Sequence, residues 1–267
     1  MSEDRSTLAR TLAILELFDE TRLEWTPEQM IETLGYSRPT LYRYLKTLRE
    51  AGLLTSLPGA GFTLGPKVVE MDFLLRKSDP ITLGAQPHLD HLAETYPCTA
   101  LLTRWYGGRI LCVASECRTT SASSYPRGRP MPLARGAISR AIMAWLPRRQ
   151  ALPLIEANMS DLTEIGLGTT REDIQKSLRE IRRSGVAVAR GEVTRGVVGI
   201  AAPIFDSAQA PIAVICATTP SELLNDTAEA ALCDDIRDAA TRITSALQDR
   251  RAGTDAAPSS AETAETH

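Results

Sequence analysis

An α+β chain of two domains is predicted, with a winged helix-turn-helix at the amino end and an α/β domain behind it. Three observations lead there. Three amphipathic helices and a β-hairpin fit within residues 1–65. Residues 36–49 hold Arg38, Arg43, Lys46 and Arg49 and no acid, while nine acids occupy the rest of residues 1–65. From residue 81 onward, helical and β patterns alternate, as they do in an α/β domain.

Each element follows from local chemistry. Leu8, Leu12, Leu15, Leu17 and Phe18 form one apolar stripe, predicting a helix over residues 5–19. Thr26-Pro27-Glu28 combines a capping threonine, a proline at the first helical position and an acid in the first turn, and Gly35 closes that helix. Ser37 caps a third helix whose Leu41, Leu45 and Leu48 recur at spacings of four and three, ending at Gly52. Leu53–Thr55 and Gly61–Leu64 then flank a Pro-Gly turn, the signature of a hairpin. A linker helix is expected over residues 66–80, broken at Asp79-Pro80.

In the second domain, residues 81–250, a helix is expected over 81–95. Strands follow at Thr99–Trp105 and Arg109–Ala114, joined across Gly107-Gly108. A loop rich in Pro, Gly and Arg, Ser123–Pro132, leads into a helix through Arg140 and Trp145. Arg171–Arg183 reads as a helix stopped by Gly185. Val186–Ala189, Gly199–Phe205 and Pro211–Ala217 read as strands, and Thr227–Leu247 as a closing amphipathic helix. Residues 251–267 lack any large apolar side chain and are expected to be a disordered tail.

The composition is that of a globular protein, 43% hydrophobic and 24% charged over 267 residues. No apolar run is long enough for a bilayer, and MSEDRSTLAR carries acids where a signal peptide would be basic and then apolar. A cytoplasmic protein without membrane contact is therefore expected. The cysteines (Cys98, Cys112, Cys117, Cys216, Cys233) are odd in number and lack a CxxC pair, so free thiols are expected. A net charge of -3 excludes a uniformly basic surface and leaves only a local cluster to bind nucleic acid.

That cluster is the start of the third helix. Ser37, Thr40 and Tyr42 supply hydrogen-bonding groups, Arg38, Arg43 and Lys46 supply charge, and the helix start supplies free N–H groups. Arg38 and Thr40 are assigned to groove or phosphate contacts. Arg43, five residues on, leaves that face and is partly structural.

Catalytic chemistry finds little support. GxSxG, Walker and GxGxxG motifs are absent. His88 and His91 lie three apart with no third ligand in view. Cys216 stands in an apolar run where thiols are usually inert. No catalytic residue, metal or cofactor is expected. A cyclase-like or hydrolytic enzyme and a helix-turn-helix module for protein contacts are the alternatives.

Several stretches, in order, resemble the IclR family of bacterial transcription regulators. They are Leu8–Glu16, Gly35–Leu45, Phe62–Gly65, Pro132-Leu133 with Gly136–Ala141, and Glu192, Gly196 and Ile200–Asp206. The resemblance implies a GAF-like effector-binding domain, a homodimer or dimer of dimers, and a pseudo-palindromic operator DNA. It also implies an effector pocket at Met131, Ala137, Ile138, Ala189, Glu192, Gly199, Cys216 and Thr218. An acid is common in the family where this chain has Ala189, and a cysteine where it has Gly199. A roomier, less polar pocket than one built for a two- or three-carbon acid is thus implied. Arg140 replaces the lysine of the family's Gly-Lys-Ala, and Ser139 the preceding glycine. Arg127, Arg129, Arg135 and Arg140 surround that corner. Either one of them faces inward to pair with an organic acid, aromatic acids included, or all four are surface and interface charges.

Overall fold

The computed structural model describes residues 6–59, 61–118 and 125–255, and the chain divides at Asp79/Pro80 into two compact units.

In the first unit, α1 (Thr7–Leu12) starts where the Ser6 hydroxyl accepts the Ala9 N–H. The single helix expected over residues 5–19 is corrected. α1 stops at Leu12, a 3-10 turn spans Leu15–Leu17, and Phe18 is extended. The apolar stripe is used by packing rather than by one continuous helix. Ile14 is fully buried, and the Trp25 indole N–H donates to the Leu17 carbonyl at 2.9 Å. α2 (Pro27–Leu34) carries a reciprocal cap between Thr26 and Gln29, and Gly35 at φ 68° ends it in the left-handed region. α3 (Arg38–Glu50) buries Leu41, Leu45, Leu48 and also Tyr44 against Ile14, Trp25 and Met30. β1 (Leu54–Ser56) and β2 (Phe62–Leu64) pair antiparallel as the wing. Residue 60 lies outside the described residues. α4 (Pro66–Ser78) buries no residue within its unit, and Asp79 terminates it in an extended conformation.

The second unit is a six-stranded antiparallel sheet with helices on both faces, the GAF-like α+β layout. Its helices are α5 (Pro80–Thr95), α6 (Gly136–Trp145), α7 (Arg148–Ala157), α8 (Met159–Glu164), α9 (Arg171–Ser184) and α10 (Asp226–Asp255). Its strands are β3 (Thr99–Trp105), β4 (Ile110–Cys117), β5 (Pro130–Met131), β6 (Ala187–Arg190), β7 (Val197–Phe205) and β8 (Pro211–Pro220). Their order is β5-β4-β3-β8-β7-β6. Alternation along each strand divides the core. Leu102, Ile200 and Ile215 meet Leu89, Leu92, Ile236 and Ile243 of α5 and α10. Leu101, Ala201, Val214 and Cys216 point the other way, to Ala141 and Ile142 of α6.

Two elements, α7 and α8, were not anticipated from the sequence. Pro153 lies inside α7, and prolines at 147 and 153 read as breakers in isolation. The Ser123–Pro132 stretch, whose first two residues lie outside the described residues, ends in the edge strand β5, with Met131 opposite Ile110. The tail boundary is also corrected. α10 continues to Asp255, because Arg251 and Ala252 are helix formers and one Gly253 does not stop an established helix. Residues 256–267 lie outside the described residues.

Candidate nucleic-acid interface and ligand pocket

The apolar positions of α3 point inward, and the opposite face is left to solvent. Ser37, Arg38, Tyr42, Arg43 and Lys46 are exposed and Thr40 half-exposed, so all six sequence-selected residues lie outside the core. Ser37 does not cap the backbone. Its hydroxyl donates to Thr40 Oγ1 at 2.9 Å, leaving the first N–H groups of α3 without a side-chain cap. Arg38 lies 3.6 Å from Glu28 in an ion pair with both side chains about two-thirds exposed, and its guanidinium also lies 5.6 Å from the Tyr42 ring centre. Such a solvated pair is worth little and yields readily to a phosphate. Arg43 is over the Tyr44 ring at 5.3 Å, consistent with its partly structural assignment, and Lys46 pairs loosely with Glu50 at 3.8 Å. Tyr36, to which the sequence assigns no role, braces the helix start. It is buried, donates to the Arg10 carbonyl at 3.0 Å and meets Tyr44 edge-on.

The second unit brings Met131, Ala137, Ile138, Ala189, Glu192, Gly199, Cys216 and Thr218 to the wall of one pocket. Strand register explains the convergence. Ala189 lies opposite Gly199 and Gly199 opposite Thr218, so three neighbouring strands present one row to α6. Tyr125, Gly136, Val193, Thr194 and Val197 complete the wall and were missed. Tyr125 lies in a loop without periodicity, so no sequence signal selected it. Val193 and Thr194 lie between Gly191 and Gly196, which could have been found as left-handed positions, at φ 69° and 75°.

The cavity between these walls has a volume of about 40 Å³. The lining is mainly Ala, Ile, Met, Gly and Val, as a less polar pocket requires. The expected roominess is not present; Tyr125 and the Glu192–Thr194 segment stand in the wall. The Tyr125 hydroxyl and Thr194 Oγ1 are 3.3 Å apart.

Of the two alternatives left open for the four arginines, neither is met as stated, since each guanidinium is engaged within the protein. Arg127 donates to the Val113 carbonyl, and Arg129 is 5.4 Å from the Tyr125 ring centre. Arg135 reaches the mouth but pairs with Asp161 and Glu164. Arg140, only 14% exposed, is ion-paired with Glu192 and also donates to the Val188 and Ile165 carbonyls. Ser139 fits its corner by donating to the Leu133 carbonyl at 2.7 Å.

The catalytic candidates do not assemble. Burial pushes the Cys216 thiol well above its ordinary value, so it stays protonated and unreactive. His91 lies 3.9 Å from Asp235, while burial, then Arg242 and His91, hold His88 below its usual value. Among the described residues, no group of three His, Cys, Asp or Glu side chains could hold a metal ion, and no helix is long and apolar enough to cross a membrane.

A winged helix-turn-helix with a solvent-facing basic helix, carried on a chain whose other unit encloses an apolar pocket, defines a DNA-binding transcription regulator. Comparison with known proteins gives the family. The model described as the IclR helix-turn-helix domain matches residues 7–58, and that of the bacterial transcriptional regulator IclR C-terminal matches residues 75–245. The HTH-type transcriptional regulator XynR of Escherichia coli K12 is 26% identical over 243 residues, spanning 90% of this chain and 96% of that protein. An IclR transcriptional regulator from Alicyclobacillus acidocaldarius superposes with a TM-score of 0.78 at 19% identity, covering 92% of this chain and all of that one. An IclR homologue from Microbacterium hydrocarbonoxydans, crystallised with 4-hydroxybenzoate, gives 0.73 at 21% identity, with 91% and 99% covered. The chain belongs to the IclR family of bacterial transcriptional regulators and is not an enzyme.

Proposed function

We propose that this regulator binds a pseudo-palindromic operator in the cytoplasm as a homodimer or dimer of dimers, and that a small organic acid, aromatic acids included, controls it. Residues 1–65 then read DNA, 66–80 link, and 81–250 sense the ligand. The observation that carries the reading is the convergence of the eight pocket residues against the start of α6, together with a solvent-turned basic helix face that holds no acid from Arg38 to Arg49. Ser37, Arg38, Thr40, Tyr42, Arg43 and Lys46 are the DNA contacts in this reading. A carboxylate suits the start of α6, where the Gly136 N–H already holds one at 2.9 Å. The 4-hydroxybenzoate complex of the Microbacterium homologue supports an aromatic acid.

Two arguments support the dimer. One recognition helix reads too few base pairs for useful specificity. Val69, Met71, Phe73, Leu74 and Leu75 of α4 are each at least half exposed, an apolar surface that a monomer rarely leaves in water.

A footprint across DNA flanking the protein's own gene, with and without a panel of acids, tests this reading. Protection should be sequence-specific, fall steeply with salt, and shift on adding the right acid. Gel shifts that never distinguish operator from random DNA would sink it.

The pocket has its own test. A Cβ on Gly199 would rest 3.5 Å from that of Ala137, so alanine fits while a larger side chain fills the cavity. Gly199→Leu should abolish acid-induced melting shifts and leave operator affinity within about twofold, since the substitution lies in the sensing unit. An undiminished shift would place the ligand elsewhere.

A further inference from the structure

Glu192 lies at the mouth of a cavity with too little clear space for an aromatic ring, and it is not idle there. Its carboxylate accepts the Gly136 N–H at 2.9 Å with one oxygen and is ion-paired to Arg140 with the other. Its side chain is only 10% exposed. A ring needs a cavity on the order of 150 Å³, against the 40 Å³ clear here, so the pocket must open to admit one. The segment able to open it is Gly191–Gly196. Glu192, Val193 and Thr194 form part of the pocket wall, and the glycines at its ends take φ of 69° and 75°, with open space around each. The Gly191 N–H to Val197 carbonyl bond at 2.8 Å pins the base of this strap. Its middle presses on the helix start, where a Cβ on Gly136 would lie 2.8 Å from Val193 Cγ2.

We infer that Glu192 acts as an internal competitor for the effector, its carboxylate holding the strap shut on Gly136 and Arg140 until the carboxylate of an incoming acid takes its place. The inference rests on the organic-acid reading above and specifies how that site is controlled. Opening without replacement would leave the Arg140 guanidinium buried without its counter-charge, which is costly. Its Nε already lacks a partner, so it has no spare bond to fall back on. A neutral ligand of the same shape cannot make the exchange. A carboxylate can, while Glu192 swings out to water and recovers its hydration. Glu192 therefore sets both the affinity threshold and the preference for acids.

Calorimetry on the full-length protein with monocarboxylates from pyruvate to 4-hydroxybenzoate, and with 4-hydroxybenzamide as the neutral probe, tests the exchange. Glu192→Gln keeps the shape but has one acceptor oxygen where the carboxylate uses two, and no charge for Arg140, so the hold weakens. The best acid should bind it at least tenfold more tightly than the native chain, and hydrogen exchange over Gly191–Gly196 should quicken without ligand. The native protein should favour acid over amide by at least tenfold. Equal or weaker acid binding by Glu192→Gln, with unaltered strap exchange, overturns the competitor role and leaves the organic-acid reading standing. If Glu192→Gln exchanges faster in the strap yet binds no acid, the organic-acid reading falls, and the competitor role with it.

Discussion

Arg38→Ala should weaken operator binding by about ten- to a hundredfold, roughly 1–3 kcal/mol, with the melting temperature essentially unchanged. The guanidinium stands at the first turn of α3 with about two-thirds of its side chain in water, and its partners among the described residues are Glu28 and Tyr42. Removing it therefore deletes nothing from the core, where Leu41, Tyr44, Leu45 and Leu48 do the packing. The two ways it could touch DNA leave different traces. If Arg38 reads a base, its removal relaxes the sequence preference at one position of each half-site. If it holds a phosphate, its removal lowers affinity for all sequences and flattens the salt dependence by about one unit of slope. Lys46→Ala provides the comparison, since a compact ammonium two turns further on is suited to a phosphate. Fluorescence anisotropy on operator and scrambled duplexes at several salt concentrations reads both effects. Native affinity in Arg38→Ala would remove α3 from the groove.

Gly65→Ala should destabilise the first unit by roughly 3 kcal/mol, near the upper end of what overpacking costs. A Cβ at this position would lie 2.2 Å from the Gly52 carbonyl oxygen and 2.9 Å from the Leu54 nitrogen. Both are backbone atoms and cannot rotate aside. The junction also carries two bonds that would be strained together, from the Gly65 N–H to the Leu53 carbonyl at 2.8 Å and from the Lys67 N–H to the Gly52 carbonyl at 3.0 Å. Amide hydrogen exchange at Leu41, Leu45 and Leu48, which lie in the same unit, should accelerate by about two orders of magnitude. Native protection there would mean that the wing and α4 part without loss.

Much of the first unit was legible because its signals are local. Thr26-Pro27 with Gln29 three positions after the cap, Gly35 after the last turn, and leucines at spacings of four and three act within a few residues of themselves. The break between α1 and the turn at Leu15–Leu17 was not legible, because Trp25 and Tyr36 hold that segment through Leu17 and Arg10, eight and twenty-six residues away. The same contrast runs through the second unit. The closing Gly185 of α9 and the β3–β4 hairpin are written in adjacent residues, whereas α7 forms despite Pro153 because Ala151 and Ile155 are buried in the unit.

The order of residues alone determined most of the helical and extended segments, the cap at Thr26 and the stops at Gly35 and Gly185, and that a basic stretch without acids opens α3. These depend on backbone conformational preference and on the 3.6- and 2-residue periods. Resemblance to a known family selected eight pocket positions but could not say what fills the space between them. Tertiary structure decided the strand order, the row from Ala189 through Gly199 to Thr218, and the pairing of Arg140 with Glu192 fifty-two residues on. The physical reason is range. A cap or a periodicity acts over one turn, while the partner of a buried charge is set by whichever carboxylate the packed chain leaves beside it.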